Sequence, residues 1–265
     1  MSGIRSCRAV IPVVVALGAL TLTSCVAGAP PESTGAGLPQ SDDPVSLDPD
    51  DFTIEIDNPY WPMEPGTRWS YVELDPDGGE LTVDVTVTSE TKLIANGVEA
   101  RVVRDTVSRG GEIVEDTFDW YAQDASGAIW YLGEDTAEFE NGEIVSREGS
   151  FEAGVDGALP GIALPADPAP GMEYRQEYSA GIAEDNGAVL SVEELVEVPY
   201  GMFDGALLTR DTNALEPDAA ELKFYATGIG PVLTLDVSGG SGREELVDVT
   251  TVPDGTGTGP LGSPG

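Results

Sequence analysis

Between positions 67 and 250 the chain alternates apolar and polar residues in short runs, each ended by a turn. The cleanest run sets Leu81, Val83, Val85 and Val87 on one side and Thr82, Asp84, Thr86 and Thr88 on the other. A period of two is the signature of a β-strand with one buried face. In the strand before it, Thr67 to Leu74, Trp69 and Tyr71 alternate with Arg68 and Ser70, and Asp75-Pro76-Asp77-Gly78-Gly79 turns the chain. Further strands are predicted over 92–95, 98–107, 113–123, 128–132, 137–140 and 143–147. Asn96-Gly97, Arg109-Gly110-Gly111, Asp124-Ala125-Ser126-Gly127 and Asn141-Gly142 separate them. Asn-Gly marks a two-residue hairpin, because both central residues need positive φ. This half reads as an antiparallel meander. Strands resume over 172–179, 188–198, 203–213, 222–227, 232–237 and 244–250, and no segment of useful length has helical periodicity.

The expected fold class is all-β: one domain over 52–251, with about a dozen antiparallel strands in a curved sheet, half-barrel or barrel. Residues 149–171 interrupt the rhythm with Gly154, Gly157, Pro160, Gly161, Pro165, Pro168, Pro170 and Gly171, yet contain Val155, Leu159, Ile162 and Leu164. They read either as a loop packed across a sheet end or cavity mouth, or as a crossover between two halves of one sheet. Residues 25–51 and 252–265, rich in Pro, Gly and Ser, read as a disordered tether and tail.

Residues 1–24 read as a leader. Arg5 and Arg8 precede an apolar run from Ala9 to Leu22, too short for the roughly 20 residues of a spanning helix. The run ends in Leu22-Thr23-Ser24-Cys25, which resembles the bacterial lipobox. The resemblance implies cleavage between Ser24 and Cys25 and a diacylglyceryl group on the Cys25 sulfur. Two acyl chains suffice for stable anchoring, where one does not. Cys25 is the only cysteine after the leader, so the mature fold relies on its core and not on disulfides. The expected location is the extracytoplasmic face of the cell membrane, held by lipid.

Charge narrows the partners. The chain has 12 basic and 48 acidic residues and no histidine, a net charge of −36 that becomes −38 when the leader takes two bases with it. Nucleic acid is excluded, because phosphate binding needs clustered Lys and Arg. Docking of the folded part onto anionic lipid is disfavoured for the same reason. Without histidine there is no Ser-His-Asp or Cys-His catalysis and no His-ligated zinc or haem. Solubility, cation binding and life in high salt are the uses left for the charge.

The opening of the folded part has a recognisable pattern. Asn58-Pro59-Tyr60 with Pro62, Pro65-Gly66-Thr67 and Trp69-Ser70-Tyr71 resembles the start of an uncharacterised family of bacterial secreted lipoproteins. The resemblance runs over about 58–250, through Val103-Arg104-Asp105-Thr106-Val107, residues 115–124, residues 130–135, residues 151–158 and Val198-Pro199-Tyr200-Gly201. It implies an all-β half-barrel distantly similar to envelope lipid-carrier domains, and no activity.

Trp69, Tyr71, Trp120, Trp130 and Tyr131 are the candidate lining of a ligand pocket, although core residues of a β domain would look the same. Asp116, Asp119 and Asp124 are weak calcium candidates, since hard cations take several oxygens, but solvated acidic faces explain them as well. The expected function is a monomeric, non-catalytic binding or envelope-associated module without cofactor, holding an apolar small molecule. A pocketless domain that binds an envelope protein is the alternative, and a carboxylate-based hydrolase the second.

Overall fold

The computed structural model describes residues 37–74, 78–238 and 242–263. Cys25 and the leader lie outside them. The described residues form one antiparallel sheet of sixteen strands. In chain order these are β1 (Phe52–Thr53), β2 (Thr67–Leu74), β3 (Glu80–Leu93), β4 (Glu99–Arg109), β5 (Glu112–Asp124), β6 (Ile129–Glu140), β7 (Glu143–Ser146), β8 (Phe151–Glu152), β9 (Leu159–Leu164), β10 (Glu173–Arg175), β11 (Glu177–Tyr178), β12 (Asp185–Val198), β13 (Gly201–Asn213), β14 (Ala220–Ala226), β15 (Gly230–Asp236) and β16 (Arg243–Thr251). Leu81, Val83 and Val87 are buried, as their alternation predicts. Asn141 (φ 53°) and Gly142 (φ 79°) make the β6–β7 turn with both central residues left-handed, the geometry that matches strand twist. The predicted strands 81–88 and 92–95 are one strand, because a register shift between Val87 and Thr91 lets β3 bend without ending.

Two meanders, β2 to β6 and β12 to β16, are spliced where β16 pairs with β2, with Leu246 opposite Tyr71 and Val249 opposite Trp69. The two ends of the sheet meet in a single stretch of chain. Its first half, β10, pairs with β12, and its second half, β11, pairs with β9. Gln176, between them, donates its N–H to Asp185 O at 2.8 Å. The sheet is thereby nearly closed into a barrel.

Closure depends on Gly161. A β-carbon there would lie 2.2 Å from Gln176 O and 2.6 Å from Arg175 O, backbone atoms that cannot turn aside. Gly161→Ala is therefore expected to force β9 from β11 and to cost about 1–3 kcal/mol, as overpacking does. Thermal unfolding followed by circular dichroism checks this, and an unchanged midpoint would show that the seam opens freely.

Residues 149–171 are not an irregular loop: β8 and β9 lie within them, and β9 extends the sheet from β6, with Trp130 opposite Ile162. The segments expected as free ends are tied down where they are described. Arg175, 1% exposed, donates to Ser41 O at 2.6 Å and Asp43 O at 2.9 Å, while Leu38, Val45 and Leu47 pack on the core. At the other end Val252 N–H donates to Gly66 O at 2.8 Å, and residues 259–263 lie over Arg104 and Asp116. Backbone carbonyls do most of this binding, which is why sequences poor in apolar side chains still hold their place.

Candidate functional site

The site is the barrel lumen, and its floor is the loop that opens the folded part. Asn58, 1% exposed, pins that loop: its Nδ2 donates to Gly127 O at 2.9 Å, its N–H donates to Gln123 Oε1 at 2.9 Å, and its Oδ1 accepts the Tyr60 N–H at 3.0 Å. On the far wall Gly228 N–H donates to Pro59 O at 2.7 Å. The loop thus crosses the barrel end and sets Trp61 against Tyr121 (ring centroids 5.3 Å) and Tyr225 (5.9 Å). Gly230, at φ 117°, leaves room for that ring, since a β-carbon would come 3.1 Å from Trp61 Cδ1.

Above this floor is a cavity of about 350 Å³. Trp61, Trp69, Tyr71, Tyr121, Tyr131 and Tyr225 supply its aromatic wall. Asp105, Asp119, Glu134, Glu177, Asp185, Asp211 and Glu244 supply carboxyl groups, against a single base, Lys223. Trp69 Nε1 and Tyr71 Oη donate to Ile229 O (2.7 Å) and Pro231 O (3.0 Å), which fixes both rings against β15.

The densest part of the site rests on a bulge. Across β5 and β6, Asp119 faces Glu134 and Tyr121 faces Tyr131, so the partners are two residues apart on β5 and three apart on β6. The extra residue sits at Gly133. Its φ is 129°, and a β-carbon there would lie 2.3 Å from Phe151 O, so only glycine fits. The bulge turns both Tyr131 and Glu134 into the lumen. Tyr131 Oη then donates to Asp119 Oδ1 at 2.7 Å.

Buried like charges cannot all ionise. Burial, then the charge of Asp119, pushes the Asp105 carboxyl well above its usual range. Asp119 and Glu134 are both raised by burial, and Glu134 further by the Asp119 charge, while Tyr131 draws both back down. Glu177 is pushed up by burial and then by the charge of Asp185, and Asp185 is itself raised by burial. Glu244 is pushed up to about 7 by burial and by Glu73. Burial opposes the Lys223 ammonium, but Asp211 and Glu221, 3.0 and 3.5 Å away, outweigh it and hold the lysine charged.

Of the predicted pocket residues, Trp69, Tyr71 and Tyr131 line the cavity and Trp120 and Trp130 do not. Period two turns these two outward, opposite Tyr121 and Tyr131. Trp130 Nε1 donates to Asp124 Oδ2 at 2.8 Å and its ring meets the edge of Phe52; Trp120 lies under Lys92 Nζ at 4.4 Å. The calcium candidates are not brought together. Asp116 is bound to Arg104, Asp119 faces the lumen, and Asp124 caps its own turn through Ser126 N–H (2.8 Å) and Ala128 N–H (3.1 Å). No cluster of three or more acids among the described residues is placed to hold a metal ion. Trp61, Tyr121, Tyr225 and most of the carboxylates are absent from the predicted set. Trp61, in the entry loop, carries no periodic signal; for Asp105 and Asp119 the signal was a place on the same strand faces as Val85 and Val103.

No protein-family model matches the chain, and no curated protein matches it. Solved structures similar to it include a candidate exported protein with a YmcC-like fold from Bacteroides fragilis, 12% identical with a TM-score of 0.43, covering 72% of this chain and 99% of its own. A candidate lipoprotein from Parabacteroides distasonis is 12% identical with a TM-score of 0.38, covering 72% and 98%. A beta-barrel-like protein, a domain of unknown function from Brucella abortus, is 12% identical with a TM-score of 0.35, covering 71% and 98%. Likeness at this level carries no function with it.

Proposed function

We propose that this chain is a lipid-anchored, extracytoplasmic binding module without catalytic role, whose lumen holds one small ligand. The observation that carries the reading is the cavity of about 350 Å³, floored by the pinned Trp61 loop and walled by side chains from most of the sheet. A cavity of this size falls within the range of small-molecule sites. The walls change the ligand class expected from the sequence. An apolar molecule would leave buried carboxyl groups unpartnered, which is costly, so a polar ligand is favoured. A pocketless interaction domain has no use for such a lumen.

The anchor is tested on the full chain. Cys25→Ala is expected to abolish labelling by palmitate and to move the protein from the membrane to the soluble fraction. Retention on the membrane at wild-type levels would remove the anchor from the proposal.

The hydrolase reading draws on one observation, the facing pair Asp119 and Glu134, of which Glu134 is held protonated more strongly. Acid and base roles need such a split. Turnover of chromogenic glycosides that Glu134→Gln abolishes would favour it over binding.

A further inference from the structure

We propose that the lumen ligand is a short-chain organic polyamine, its ammonium groups seated on the carboxyl groups and its methylenes against the aromatic wall. This rests on the reading of the lumen as a binding site and names the ligand class.

Two buried acceptors point to a ligand that donates hydrogen bonds. Asp105 Oδ1 and Asp185 Oδ1 are buried, belong to cavity-lining residues, and have no hydrogen-bond partner. Such orphans are rare in folded proteins and call for an explanation. They stand on β4 and β12, seven strands apart along the nearly closed sheet, and both residues line the same cavity. A ligand that serves both needs a donor at each end.

The lumen already holds one ammonium. Lys223 Nζ sits 3.0 Å from Asp211 Oδ2 and stays charged with its side chain half-buried among the lining residues. The same wall chemistry continues past it through Glu244, Asp105 and Asp119, with no second base in the lining. The aromatic side is built for the rest of the molecule. Tyr121, Trp61 and Tyr225 form a continuous set of rings that can take a cation on its face or an alkyl chain along it. A bare divalent cation fits less well. Calcium needs six to eight oxygens converging within about 2.6 Å, and the carboxyl groups here are dispersed around the lumen, with no metal-binding cluster among the described residues.

The test uses the full-length lipidated chain in detergent, at about 0.15 M salt so that surface counterions are screened. Spermidine, calcium and dodecanol are titrated separately, read by calorimetry and by tryptophan fluorescence. Spermidine is expected to saturate at one per chain with a fluorescence change that Trp61→Phe removes. Asp105→Asn with Glu134→Gln should weaken it by about tenfold or more, while Glu80→Gln, an exposed acid, leaves it unchanged. The wild-type titration and Trp61→Phe stand even if the double variant fails to fold. Non-saturating binding, or equal affinity in the folded double variant, would overturn the inference. Binding of dodecanol or calcium with the fluorescence change, and none of spermidine, would overturn the amine class but leave the lumen as the site. No response to any of the three would overturn both.

Discussion

Replacing Arg104 by methionine is expected to cost about 3–5 kcal/mol, the usual penalty for removing one partner of a buried ion pair. That is a large share of the ~5–15 kcal/mol that holds a domain folded. Arg104 is 1% exposed and Asp116 fully buried. Arg104 Nε donates to Asp116 Oδ1 at 2.9 Å and Nη2 to Oδ2. Asp116 also accepts Thr106 Oγ1 (2.8 Å) and Gly262 N–H (2.7 Å), while Arg104 Nη2 reaches Ser263 O at 2.8 Å. The pair therefore fastens the C-terminal segment to the outer face of β4 and β5. Methionine keeps the volume and leaves Asp116 as an uncompensated buried charge. Asp116→Leu added to Arg104→Met should restore most of the loss, since an apolar pair of similar size needs no partner. Urea unfolding gives the energies, and limited proteolysis should find the C-terminal segment cut early in the single variant. A loss below about 1 kcal/mol would mean that the pair is hydrated and the segment dispensable.

The strands were legible because period two survives any packing: Leu81, Val83, Val85 and Val87 needed only alternation. The turns were legible because Asn141-Gly142 can satisfy two positive φ angles and few other pairs can. What sequence could not show is which side of each strand is inside. Asp119 read as part of a solvated acidic face, although strand pairing sets it opposite Val103, and Asp105 opposite Val85, on the face of the apolar alternation. Closure through β10 and β11 turns those positions inward. On β5 and β6 both faces are covered, so Trp120 and Trp130 looked as suited to a pocket as Tyr121 and Tyr131. Choosing between the sets required the bulge at Gly133, and nothing in the local sequence distinguishes that glycine from one in a turn. The C-terminal segment was illegible for another reason: its carbonyls and the Gly262 N–H do the binding, and every residue has a backbone.

Stability is expected to fall as pH rises from 5 to 8, the reverse of a protein whose acids are held by bases. Asp105, Asp119, Glu134, Glu177, Asp185 and Glu244 all have raised folded values, first through burial and then mostly through one another. Unfolded, they release protons in the ordinary carboxylate range. Between that range and the folded value the native state binds more protons than the unfolded one, so stability drops with rising pH. For Glu244 the drop runs from about 4.5 to about 7, and for Glu134 and Glu177 it continues above. Lys223 does not offset this, because its raised value places its own loss at alkaline pH. A tenfold difference in proton affinity between the folded and unfolded states is worth about 1.4 kcal/mol. A roughly hundredfold difference in all would then lower the melting midpoint by about 5–10 °C in a domain of this size. Surface repulsion from a net charge of −36 acts in the same direction, and salt separates the two contributions, since it screens exposed charges and hardly reaches the lumen. Melting curves in high salt should keep the decline in the wild type and lessen it in Glu134→Gln with Glu177→Gln, which leaves four of the six raised acids in place. A midpoint that is level or rising over pH 5–8 in high salt would mean that the lumen acids are hydrated and ionised in the folded protein, and that burial does not hold their protons.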